Sequence, residues 1–160
     1  MKNMLVISIL IVAALFSAIP ASAGDKPIQI ALFNPVQIFP EKESIAGLRL
    51  TLIYGKNADM TGLDWGLVTR TTGTLEGIQI GLVGIVDGDA TGIQYNLASI
   101  TKGTFTGLQY SWYNSANHAV GLQLGLVNTT GTMNGLQIGL LNFIRKGGFL
   151  PFFPIVNGSF

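Results

Sequence analysis

GLQLGLVNTTGTMNGLQIGLLN, from Gly121 to Asn142, states one strand-like octapeptide twice, fourteen residues apart. GLQLGLVN and GLQIGLLN agree even in the Gln and in the small residue two places later. Aligned on Gly, the same pattern runs back along the chain. The units are GLRLTLIYGKNADMT (from Gly47), GLDWGLVTRTTGTLE (Gly62), GIQIGLVGIVDGDAT (Gly77), GIQYNLASITKGTFT (Gly92), GLQYSWYNSANHAV (Gly107), GLQLGLVNTTGTMN (Gly121) and GLQIGLLNFIRKGG (Gly135). The spacing is 15 for the first four steps and 14 for the last two. A fixed short period is the signature of a stacked repeat.

Within a unit, the first, third and fifth places after Gly are bulky and apolar, as in Leu122, Leu124 and Leu126 or Ile93, Tyr95 and Leu97. A period of two means a strand with one buried face. The apolar places are expected to point inward. Gln79, Gln94, Gln109, Gln123 and Gln137, with the small residues Gly66, Gly81, Asn96, Ser111, Gly125 and Gly139, are expected outward. On that assignment Leu124→Asp should unfold the domain and Gln123→Lys should be mild. Met60, Leu75, Ala90, Phe105, Ala119 and Met133, two places before each Gly, share the phase of Gln. They reach an apolar core only if the chain bends at the Gly, which its missing Cβ permits. Gly73, Gly88, Gly103 and Gly131 mark the turns.

The expected fold is therefore all-β, a β-solenoid of about seven coils of 14–15 residues with Pro- and Phe-rich caps. Stacking like on like gives the recurring Gln, and Asn114, Asn128 and Asn142, ladder hydrogen bonds that a barrel has no reason to repeat. A small up-and-down antiparallel barrel of about eight strands, lipid-facing through its Leu/Ile side, is the alternative.

Residues 1–23 read as a cleaved signal peptide: Lys2, the apolar run Leu5 to Phe16, then Ala21-Ser22-Ala23. Residues 24–46 are expected to form an N-terminal cap, 47–146 the repeats and 147–160 a C-terminal cap. Pro35, Pro40, Pro151 and Pro154 would block open strand edges. The chain has no Cys, so no disulfide or lipidated Cys supports it. Nine basic residues oppose eight acidic ones, which argues against nucleic acid. All the acids lie at or before Asp89, whereas residues 90–160 hold only Lys102, Arg145 and Lys146. Laid along an axis, such a chain has a basic end.

GLQIGLLN and its relatives, the opening LFNPVQIFP and the closing GGFLPFFPIVN resemble a bacterial surface-repeat family first named in leptospires, over essentially the whole mature chain. The resemblance implies an exported, envelope-associated protein and brings no catalytic residues. YSWYN and the missing turn Gly mark the Gly107 unit as the least regular.

The residues themselves supply no catalytic, cofactor-binding or metal site. His118 is the single histidine and reads as an exposed turn residue far from every acid. Asp87-Gly88-Asp89 lacks the loop and terminal Glu of a calcium site and reads as a polar turn. Thr72/Thr74, Thr104/Thr106 and Thr130/Thr132 do not share the phase that a flat ice-binding array requires. Trp65, Tyr95, Tyr110 and Trp112 are expected to fill the core, leaving Tyr54, Tyr113 and Phe143 exposed. The expectation is a non-enzymatic structural or interaction protein of the bacterial envelope, in the periplasm, at the outer membrane or on the cell surface. It would present a flat Gln/Gly/Val face to the outer membrane, another envelope protein or itself. An integral barrel and a self-assembling extracellular protein are the alternatives, with no cofactor and no small-molecule substrate.

Overall fold

The computed structural model describes residues 25–160; the signal-peptide expectation lies outside them. The chain is all-β. Its strands are β1 (Lys26–Phe33), β2 (Val36–Gln37), β3 (Ile45–Asn57), β4 (Met60–Thr71), β5 (Leu75–Val86), β6 (Ala90–Ile144) and β7 (Phe152–Ser159). β6 is one extended run that winds through the units of Gly92, Gly107, Gly121 and Gly135. Neighbours β3, β4, β5 and β6 pair parallel, with Gly47, Gly62, Gly77 and Gly92 in one register column. The result is a β-solenoid of about five turns. That is slightly fewer than the seven coils expected from the sequence. β1 adds in parallel to β3, and β7 closes the other end antiparallel to β6. An up-and-down barrel needs antiparallel neighbours throughout, so the closed-wall alternative does not describe this chain.

Each coil is flat. A first limb carries the Gly-Leu-Gln pattern, a sharp corner follows the fifth residue after Gly, and a shorter return limb leads to a polar turn. Which face lies inside is the reverse of the sequence expectation. Gln29, Gln79, Gln94, Gln109, Gln123 and Gln137 are fully buried. Trp65, Tyr95, Tyr110 and Trp112, expected in the core, are 51–66% exposed, as are Leu52, Leu67, Leu82, Leu126 and Leu140 to a similar degree. Met60, Leu75, Ala90, Phe105, Ala119 and Met133 are buried on the same side as Gln. Plain alternation therefore holds through each Gly, and no switch of face occurs there.

The small residues are inward as well, and their size has a steric cause. At the centre of the coil the two limbs approach so closely that one side chain must serve both. A Cβ on Gly125 would meet the Ser111 carbonyl oxygen of the preceding coil first and Asn114 Nδ2 next, at 2.7 Å; one on Gly139 would meet the Gly125 carbonyl oxygen first and Asn128 Nδ2 next, at 2.6 Å. Where both limbs carry Gly, at Gly81 and Gly84, Asn96 of the next coil reaches in towards Gln79.

The leading Gly of each unit is fixed by backbone geometry. Gly92 has φ 123°, and a Cβ there would lie 2.0 Å from the carbonyl oxygen of Gly77. Gly92→Ala combines a left-handed backbone angle with an immovable backbone contact. It is expected to lower unfolding stability by roughly 3 kcal/mol or more, measurable by chemical denaturation; a loss below about 1 kcal/mol would contradict the stacking distance described here.

Two interior zones follow. Near the turn edge a narrow apolar core joins Ile45, Met60, Leu75, Val86, Phe105, Met133 and Ile144. Towards the corner the interior is polar. Gln137 Nε2 donates to Gln123 Oε1 at 2.7 Å, Gln123 to Gln109 at 2.6 Å, Gln109 to Gln94 at 2.7 Å and Gln94 to Gln79 at 2.9 Å. Gln79 then donates to Asp64 Oδ2 at 2.9 Å. The carboxylate is held from the other side by Arg49, whose Nε and Nη2 each donate at 2.7 Å. The return limb carries a second ladder of opposite polarity, Asn114 to Asn128 to Asn142, at 2.8 Å per step. Opposed ladders offset each other's dipoles. The acceptor ends of the two ladders, Gln137 Oε1 and Asn114 Oδ1, are left without a partner, as head-to-tail chains require, and Thr51 Oγ1 and Asn96 Oδ1 are unpartnered in the same interior.

The caps close this interior. Gln29 Nε2 donates to the Phe39 carbonyl at 2.8 Å and the Phe39 amide returns a bond to Gln29 Oε1 at 3.0 Å. At the other end Asn157 Nδ2 donates to the Leu150 carbonyl at 2.9 Å. Pro154 lies in β7, whose outer edge has no strand beyond it.

Candidate functional site: the apolar wall

Strand alternation has only two sides. With Gln, Asn, Ser and Thr committed to the interior, the first, third and fifth places after Gly must face out, and they form three unbroken rows along the solenoid. One is Ile28, Leu48, Leu63, Ile78 and Ile93. The second is Ile30, Leu50, Trp65, Ile80 and Tyr95, and it continues through Tyr110, stacked 5.3 Å from Tyr95. The third runs along the corner through Leu52, Leu67, Leu82, Leu97, Trp112, Leu126 and Leu140, each 43–66% exposed.

The size of this wall can be bounded. Nine strands contribute: β1, β3, β4, β5, the four passes of β6, and β7. At about 4.8 Å between strands and about 3.3 Å per residue, the rows cover roughly 38 Å by 13 Å, or about 500 Å² before the reverse side is added. A typical monomer's largest apolar patch is about 300–600 Å² and is often functional. The surface continues around the corner onto the return limb through Val68, Val83, Tyr113, Val127 and Leu141.

Between the second and third rows a shallow trough of about 580 Å³ runs along the axis, with Leu50, Trp65 and Ile80 on one bank and Leu52, Leu67 and Leu82 on the other. Its floor is backbone at Thr51, Gly66 and Gly81. A second stretch of about 460 Å³ continues it past Tyr95, Tyr110 and Trp112. The trough is open along its length and encloses no small molecule.

No charged side chain stands in the wall. Of the charges on the first limbs, Arg49 and Asp64 are turned inward and fully buried, and Glu76, one place before Gly77, is exposed at the margin of the first row. The remaining charges gather towards the opposite edge and the caps. There Asp87 meets Arg70 at 2.8 Å and Lys102 at 2.7 Å. Burial would push the Asp87 carboxyl up, but hydrogen bonds from Lys102 and Arg70 and their positive charge hold it below the usual carboxylate value. Asp59 behaves alike: burial opposes ionisation, while the Thr74 amide at 2.8 Å and the Ser44 hydroxyl at 3.0 Å outweigh it and lower its pKa. Asp89 accepts the Thr104 amide at 2.6 Å, so both acids of Asp87-Gly88-Asp89 tie successive turns together.

His118 lies at the turn edge, 2.6 Å from Thr132 Oγ1, with no acid in its contacts. Tyr113 and Phe143 are exposed and Tyr54 is half-buried. The Gln/Gly/Val face expected from sequence is not a surface, because its Gln and small residues are inside. Among the described residues, no group of three or more His, Cys, Asp and Glu converges as metal ligands, and no helix is long and apolar enough to cross a membrane. No family model, curated protein or solved structure matches the chain.

Proposed function

We propose that this chain is a non-enzymatic exported protein of the bacterial envelope that works by docking its apolar wall against another apolar surface. The observation that carries this reading is the wall itself: three continuous rows of Leu, Ile, Trp and Tyr with no charge among them. Water would favour burying those rows and exposing the Gln ladder. The sequence does the opposite along the length of the solenoid, which is favourable only where the outside is not bulk water. The fold supplies rigidity and reach rather than a reactive centre, and the signal-like residues 1–23 and the family resemblance agree with an envelope setting.

The test is fractionation of a Gram-negative host expressing the full chain. The protein is expected in the envelope pellet after a high-salt wash. The double variant Leu82→Asp/Leu97→Asp should move to the soluble fraction with an unchanged circular dichroism spectrum, because both side chains point outward. Recovery of the unmodified chain as a soluble monomer would overturn the reading.

A further inference from the structure

We infer that the surface covered by the wall is a single phospholipid leaflet, with the solenoid lying on its side, corner rows in the acyl region and turn edge among the headgroups. This rests on the docking function proposed above and names the partner. Four observations select lipid over a protein partner.

The first is shape. The apolar surface is the corner of a blade, with the first limb's rows on one side and Val68, Val83, Val127 and Leu141 on the other. A flat partner, including a second copy, covers one side only, whereas a fluid wraps both.

The second is depth. From the first to the fifth place after Gly is four residues, about 13 Å at about 3.3 Å each, and side chains at the corner extend it to about 16 Å. That is half of a hydrocarbon core about 30 Å thick. The wall is too shallow to span and matches one leaflet.

The third is the backbone. Lipid tolerates no unpaired amide or carbonyl. In a solenoid the inter-coil bonds run along the axis, so the laddered stretches on both sides of the corner pair their peptide groups coil to coil. Along the stack the ladder Gln and Asn side chains donate to one another, and the acceptors without a partner, Gln137 Oε1, Asn114 Oδ1 and Asn96 Oδ1, lie in the interior and not on the lipid side.

The fourth is charge. Every coil's polar turn lies on the edge away from the corner, where interfacial water and headgroups would be. After Asp89 the only charges are Lys102, Arg145 and Lys146. Lys102 is paired with Asp87, whereas Arg145 and Lys146 are exposed and enter none of the ion pairs among the described residues. This end of the blade is complementary to anionic phosphate headgroups.

The two tryptophans are built-in depth gauges. Trp65 belongs to the third place after Gly and Trp112 to the fifth, on the corner, a difference of about 7 Å in depth. The exported chain, purified, is mixed with phosphatidylethanolamine/phosphatidylglycerol vesicles. It should float with them, and Leu82→Asp/Leu97→Asp should reduce the bound fraction at least tenfold. In Trp65→Phe the remaining Trp112 should be quenched most by lipids brominated near the acyl terminus. In Trp112→Phe the remaining Trp65 should be quenched most by bromines nearer the headgroup. The reverse order, or quenching of neither, would overturn the leaflet geometry. A stable dimer that ignores vesicles would show that a second copy covers the wall. Envelope retention in cells without vesicle binding would leave the docking function standing and sink the lipid assignment alone; loss of both would sink both.

Discussion

Gln123→Lys is expected to unfold the domain. Gln123 sits at zero exposure in the ladder, donating to Gln109 and accepting from Gln137. An ammonium in its place offers no acceptor to Gln137 and finds no carboxylate within the column between Gln109 and Gln137. Leaving a buried charge unpaired costs about 3–5 kcal/mol or more, against total stabilities of about 5–15 kcal/mol for natural domains. Gln123→Met keeps the shape but strands the Gln137 donor and the Gln109 acceptor, and should cost about 2–4 kcal/mol. Denaturation followed by circular dichroism reads both. A mild effect of the lysine would mean that the ladder faces water.

Arg49→Gln and Asp64→Gln are each expected to destabilise by about 3–5 kcal/mol, whereas the double variant should be close to neutral. The guanidinium and carboxylate share a fully buried, two-pronged contact, with Thr71 Oγ1 accepting a further Arg49 donor at 3.0 Å. Removing either member leaves its partner's charge in the interior. Replacing both with Gln extends the ladder by two rungs in the existing register, since Arg49, Asp64 and Gln79 pair in one column. A double-mutant cycle therefore should show a coupling of several kcal/mol. Additive losses would mean that the pair does not share one desolvated site.

The architecture was legible in the repeat, and the orientation of its faces was not. Spacing on Gly places Gly47, Gly62, Gly77 and Gly92 in one column, and the recurrence of Gln at one phase specifies parallel, in-register neighbours. Period two, however, states only that two faces differ. Assigning the apolar one to the inside assumes water outside. The contrary signal was present two places before each Gly. Met60, Leu75, Phe105 and Met133 share the phase of Gln, and with Gly between them plain alternation already places both inside. A bend at the Gly was needed only to preserve the assumed orientation.

The small residues carried a second signal. Gly at the fourth place and Asn at the seventh recur together in the Gly121 and Gly135 units, Gly125 with Asn128 and Gly139 with Asn142, which is a volume balance across a thin interior. An outward strip would need no such complement. What no local pattern could supply is the Arg49–Asp64 pair as a substitute for two rungs: in sequence they are simply two charges 15 residues apart.

Thiol labelling tests the inverted interior most directly, because the chain contains no cysteine of its own. Gln94→Cys and Tyr95→Cys place a reporter on either side of the same limb, one at a fully buried position and the other at one 52% exposed. With a polar maleimide, the thiol at position 95 is expected to react within the native protein and the thiol at position 94 only after denaturation. Native reaction at position 94 with protection at position 95 would contradict a solenoid that keeps its amides inside and its apolar rows out.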